Sequence, residues 1–134
     1  MTDESATARK GDVVEIRVPA EAAYVSLLRS AAAGLAARLD FTVDEIDDLR
    51  IAVDEACALV LPGVRADSLL TCRMTLGVAD LRVAVNAETT ASSPPEPTSF
   101  AWMVLTALAD DVTVNTDHDH QITVSLGKAR SASP

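Results

Sequence analysis

Apolar residues along this chain keep two different rhythms, and the switches between them mark out its elements. From Asp12 to Val18 they alternate, with Val14, Ile16 and Val18 on one side and Glu15 and Arg17 on the other, which predicts a half-buried strand. Pro19 suits the first turn of a helix, and Tyr24, Leu27, Leu28, Ala31, Leu35 and Leu39 then recur at helical spacing, so a long helix is predicted over 20–39. Gly34 interrupts its alanine-rich middle and is expected to mark a close packing contact, since glycine otherwise weakens a helix. Thr42 and Glu45 have the spacing of a capping box, which starts a second helix at Val43, and Pro62-Gly63 stops it. Ile46, Leu49, Val53, Ala56 and Val60 form its core stripe; Asp48, Ala52, Glu55 and Leu59 form an adjoining stripe from which a carboxylate could face a ligand.

Alternation returns at Leu70, Cys72, Met74 and Leu76 and again at Leu81, Val83 and Val85, across a short connection, and predicts an antiparallel hairpin. The stretch 88–98, rich in proline and small polar residues, reads as a loop. Ser99 can cap a third helix whose Phe100, Met103, Val104 and Ala107 face one way, with Trp102 and Leu105 to the side. A last hairpin joins Val112 and Val114 to Ile122, Val124 and Leu126 through a turn at Asp117 to His120. The order β, α, α, β, β, α, β, β predicts an α+β two-layer sandwich, with helices on one face of a mostly antiparallel five-stranded sheet. One domain is expected over 12–126, between a disordered leader at 1–11 and a disordered tail at 127–134.

At 134 residues and 49% hydrophobic, the chain can bury a core without metals or disulfides. Its net charge of −9 argues against wrapping nucleic acid, because there is no surplus of Lys and Arg to displace counterions from phosphates. A basic protein partner fits better. No stretch approaches the length of an apolar membrane span, so a cytoplasmic protein without membrane attachment is expected, with Cys57 and Cys72 buried and reduced.

LRIAVDEACALVL on the second helix and SFAWMVLTALADDVTV before the last hairpin, taken with the element order, resemble the anti-sigma-factor serine kinases of the RsbW type. These belong to the histidine-kinase-like ATPase superfamily with its Bergerat-type fold, and the likeness is strongest to actinobacterial members. It covers about residues 12 to 126. The resemblance implies a catalytic Glu followed four residues later by a Mg²⁺-binding Asn; Glu55 matches the first position, and Leu59 stands at the second. It also implies a D-x-G-x-G motif after the third strand, where this chain has Asn86 and Glu88 and no glycine, and a G-x-G before the third helix, where Ser99 and Ala101 stand. Glu55, Asn86, Ser99 and Ala101 are therefore the candidate residues of a degenerate nucleotide site. Leucine offers no oxygen to a hard cation.

The resemblance further implies a function: sequestering an alternative sigma factor until an anti-anti-sigma antagonist releases it, in a homodimer. With three motifs altered together, no cofactor is expected and inhibition should not need ATP. The alternative is an active kinase that uses ATP and Mg²⁺ to phosphorylate its antagonist. Tyr24, Leu27, Leu28 and Arg29 on the first helix are the candidate partner-binding residues. Simpler readings stand beside these: Asp44, Glu45, Asp47 and Asp48 complement a helix dipole, His118-Asp119-His120 is a solvated turn with no metal, and Trp102 lines the core or a groove. A redox or metal-responsive regulator using Cys57, Cys72 or the histidines is the third class considered.

Overall fold

The computed structural model describes residues 11–131 apart from Ser92, Pro94, Pro97 and His118. Five strands, β1 (Val13–Pro19), β2 (Leu69–Leu76), β3 (Asp80–Glu88), β4 (Asp111–Thr116) and β5 (Gln121–Ala129), form one antiparallel sheet in the order β1-β2-β3-β5-β4. Three helices, α1 (Val25–Arg38), α2 (Val43–Val60) and α3 (Phe100–Leu108), cover one face, with α2 between the other two. This is the expected α+β sandwich, consistent with the histidine-kinase-like ATPase fold. Among the described residues, no helix is long and apolar enough to cross a membrane.

Strand alternation decides what faces the helices. Leu70, Cys72, Met74 and Leu76 of β2, Leu81, Val83, Val85 and Ala87 of β3, and Ile122, Val124 and Leu126 of β5 are all buried against Leu49, Val53, Ala56 and Val60 of α2 in one core. The opposite face is open and polar, carrying Arg17, Thr71, Arg73, Arg82, Asn86 and Thr123. On that face Arg82 of β3 makes two hydrogen bonds of 3.1 Å to Asp111 of β4, across the intervening β5. Both residues register with Gly127, where a Cβ would lie 2.5 Å from the Arg82 guanidinium, so a side chain there would push the arginine out of its present position. The pairing holds the Asp111 carboxyl below its ordinary range and raises the Arg82 guanidinium.

Several sequence expectations change. Pro19 ends β1 rather than opening a helix, and a single 3₁₀ turn, Ala22–Tyr24, precedes α1. Nothing lies within 4 Å of where a Cβ at Gly34 would be, so this glycine marks no close contact. The third helix is turned from its expected orientation: Leu105 is fully buried and Ala101 and Trp102 pack on the core, while Phe100 and Met103 are 77% and 61% exposed. Every face of FAWMVLTAL is apolar enough to be buried, so the pattern alone could not choose one. At the C-terminal end β5 continues to Ala129, past the expected boundary at 126. The next two residues are pinned as well: Arg130 donates to the Leu39 carbonyl at 3.2 Å and the Ser131 amide to Glu45 at 2.6 Å.

Candidate functional site

The candidate site lies where α2 ends. The helix starts on the expected capping box: Thr42 Oγ1 accepts from the Glu45 amide at 3.1 Å, and Glu45 returns a contact of 2.8 Å from the Thr42 amide. That backbone donation from Thr42, helped by Ser131, holds the Glu45 carboxyl down at about 2. Eighteen residues later α2 gives way to the 3₁₀ turn Leu61–Gly63, which is stitched to the exit of β3. Thr89, buried and next in the inward series after Val85 and Ala87, donates its hydroxyl to the Gly63 carbonyl at 2.9 Å and accepts from the Ala91 amide at 3.0 Å. The Thr90 amide also donates to Gly63, at 2.7 Å. A Cβ at Gly63 would sit 2.8 Å from Thr89 Oγ1, so only glycine permits this approach.

Facing this stitch is the start of α3, where Ser99 Oγ accepts from the Trp102 amide at 3.2 Å as an N-cap. Between the two lies a pocket of 280 Å³ whose walls include Ala58, Leu59, Thr89, Ser99, Ala101 and Ile122. Three positions singled out from the sequence, Leu59, Ser99 and Ala101, thus meet around one cavity. Asn86 does not join them. Strand alternation puts it on the open face, where its amide donates to Thr123 Oγ1 at 2.8 Å and to the Ile122 carbonyl at 3.2 Å. Glu88 points the same way and pairs with Arg65 at 3.1 Å. Glu55 is half-buried on α2 and is not among the residues lining the pocket.

These residues do not fit a magnesium nucleotide. Leu59 is buried and has no oxygen, the Thr89 hydroxyl is committed to the Gly63 carbonyl and the Ala91 amide, Ser99 caps α3, and no ionisable side chain is among the residues that line the cavity. Among the described residues, no three of His, Cys, Asp and Glu gather as a metal site. His118 lies outside the described residues, and His120 is exposed in the β4–β5 turn. Cys57 and Cys72 are both free, and burial pushes each thiol up to about 12, which keeps them protonated and poorly nucleophilic.

The first helix divides its candidates. Tyr24 and Leu27 are exposed, Leu27 by 54%. Leu28 is fully buried in the core and offers no partner-facing surface, a correction to the sequence reading that follows from its place on the inner stripe with Ala32 and Ala36. Arg29 is braced within the fold, its Nη1 2.8 and 2.9 Å from the two carboxylate oxygens of Asp54 on α2. The acid cluster is also largely used internally: Glu45 in the cap, Asp47 3.8 Å from Arg50, and Asp48 3.6 Å from Lys128. Gly63 and Ile122 enter the sequence reading only as a helix stop and a strand residue, and Thr89 not at all, although the period of two continued past Ala87 is a signal for its inward position.

No protein-family model matches the chain. It is 35% identical to the anti-sigma-F factor RsbW of Mycobacterium tuberculosis over 106 residues, which are 79% of this chain and 62% of that protein. It therefore spans less than two thirds of that relative's length. The serine-protein kinase RsbW of Bacillus mycoides is 28% identical over 139 aligned residues, covering 89% of this chain and 86% of the relative. That of Bacillus subtilis is 50% identical over a shorter stretch of 46 residues, 34% of this chain and 29% of the relative. Two kinds of name recur among proteins that share this sequence pattern, anti-sigma factor and serine-protein kinase, and the chain is similar in sequence to proteins of the RsbW type that carry both.

Proposed function

We propose that this protein is an anti-sigma factor that sequesters an alternative sigma factor by surface contact, without needing ATP, and yields it to an anti-anti-sigma antagonist. The observation that carries the reading is Leu59, buried at the position where the RsbW resemblance implies a magnesium-binding Asn, beside hydroxyls already bonded to backbone. The likeness to a protein named anti-sigma-F factor supports the choice of partner. Inhibition works by occlusion, hiding the sigma surfaces that must meet polymerase or promoter. The protein acts in the cytoplasm as a homodimer about a two-fold axis, its single domain running past 126 to the end of β5 at Ala129.

On α1, Tyr24 and Leu27 are exposed apolar groups suited to a partner contact, while Arg29 presents only what its pairing with Asp54 leaves free. A second reading, the working kinase, draws on the relatives named serine-protein kinase. Run-off transcription by sigma-loaded polymerase separates the two. Inhibition should be equal with and without ATP, Glu55→Ala should inhibit nearly as well as the parent, and Leu27→Glu should weaken inhibition at least tenfold. An ATP requirement, with loss of inhibition in Glu55→Ala, would overturn the nucleotide-independent reading; unchanged inhibition by Leu27→Glu would move the contact off α1.

A further inference from the structure

We propose that the pocket between the end of α2 and the start of α3 is a binding site for a small, uncharged, apolar molecule of one or two rings. This goes beyond the sigma-factor reading and does not depend on it. The walls supplied by Ala58, Leu59, Ala101 and Ile122 are hydrocarbon. Of the three hydroxyls on the walls, Thr89 donates to the Gly63 carbonyl and accepts from the Ala91 amide, Ser99 accepts from the Trp102 amide, and Ser93 completes the set, so the lining offers hydroxyls and backbone but no charge. A charged or strongly polar ligand would surrender its hydration there without an opposite charge among the lining residues to replace it, whereas an apolar one loses only contact with water.

Size fixes the class further. An apolar cavity of about 150 Å³ takes up one benzene, and the 280 Å³ here leaves room for a single substituted ring or a fused pair. The cavity is concave and joins four separate elements, the end of α2 at Leu59, the exit of β3 at Thr89, the first turn of α3 at Ala101 and β5 at Ile122. An occupant would tie α3 to the sheet from its N-terminal end. That helix carries Phe100 and Met103 outward, so occupancy would also stiffen the most exposed apolar side chains it presents.

The probe is toluene, titrated into the isotopically labelled full chain and followed by amide chemical shifts, with benzoate as the same ring bearing a charge and MgATP as a third titrant. Saturable shifts at Leu59, Thr89, Ala101 and Ile122 are expected, with a dissociation constant on the order of a millimolar for so small a ligand. Benzoate should bind at least tenfold more weakly. Ala101→Phe, which fills the cavity, should abolish the shifts, and Leu59→Asn, which makes a wall polar, should weaken toluene several-fold should the first variant misfold. Absence of saturable toluene shifts, equal binding of benzoate, or undiminished binding in folded Ala101→Phe would each overturn the proposal. If only a sigma factor shifts these amides, the pocket is a partner's anchor point and the small-molecule reading fails. MgATP binding at these amides would defeat the nucleotide-independent function as well; failure of toluene and MgATP together would defeat this proposal alone.

Discussion

The two ends of α2 are built on opposite principles. At its start almost every polar group is used to hold the fold: Thr42 and Glu45 cap one another, Glu45 also takes the Ser131 amide, and Asp48 meets Lys128. At its finish the helix runs into hydrocarbon, with Leu59 against a cavity and the Gly63 carbonyl occupied by Thr89 and Thr90. A helix secured at one end by hydrogen bonds, and along its length by Leu49, Val53 and Ala56, can change side chains at the other end without losing its position. The site therefore departs from the pattern its resemblance implies while the frame persists.

The comparison is broken most forcefully at the apolar end. Leu59→Asn leaves a smaller, polar side chain where leucine is nearly buried, and should lower stability by about 3 kcal/mol in urea denaturation. It should not restore magnesium-dependent ATP binding, because no ionisable side chain lines the cavity to meet the metal or the phosphates. A loss below about 1 kcal/mol, or calorimetric binding of MgATP, would show that the two ends are less different than they look.

At the polar end Thr42→Ala should cost about 1 kcal/mol through the lost cap. Its acid behaviour is more telling. The Glu45 carboxyl is held below its unfolded value, so it contributes stability above pH about 4.5 that is lost as pH falls towards about 2. In Thr42→Ala the bond from the Thr42 backbone amide is no longer positioned by the box, and the dependence of stability on pH across that window should flatten. An unchanged slope would mean that Ser131 alone maintains the shift. The smallest effect is a gain: Gly34→Ala, on a helix away from both ends and with open space around it, should add roughly 0.5–1 kcal/mol, read as a higher midpoint in the same denaturation.

What could be read from the sequence was whatever is decided locally. The capping box and the alternation of β2 and β3 are short-range patterns with polar contrast, and the structure has them where expected. The facing of α3 was not legible, because Phe100, Met103 and Leu105 are equally apolar and only the neighbouring α2 and sheet select Leu105 for burial. Nearness to a motif position points Asn86 to the site, although the period of two already places it on the face opposite Val85 and Ala87. The pocket itself needed the tertiary meeting of Gly63 with Thr89, residues 26 apart, and no window of sequence contains that contact.

The Arg82–Asp111 bridge over Gly127 has a bearing on how the sheet avoids mispairing. Cross-strand contacts between adjacent strands survive a slip of two residues, since that slip returns each side chain to the same face with similar neighbours. A bridge between next-but-one strands does not, because it requires β3, β5 and β4 to be in step at once, with the glycine directly beneath the guanidinium. Sliding β4 by two residues would carry Asp111 about 7 Å along its strand and out of reach. The correct alignment at the edge of the sheet thus carries an ion pair that the slipped one lacks, and a side chain at 127 would weaken that distinction by displacing the guanidinium, while leaving the backbone hydrogen bonds of the hairpin available to either alignment.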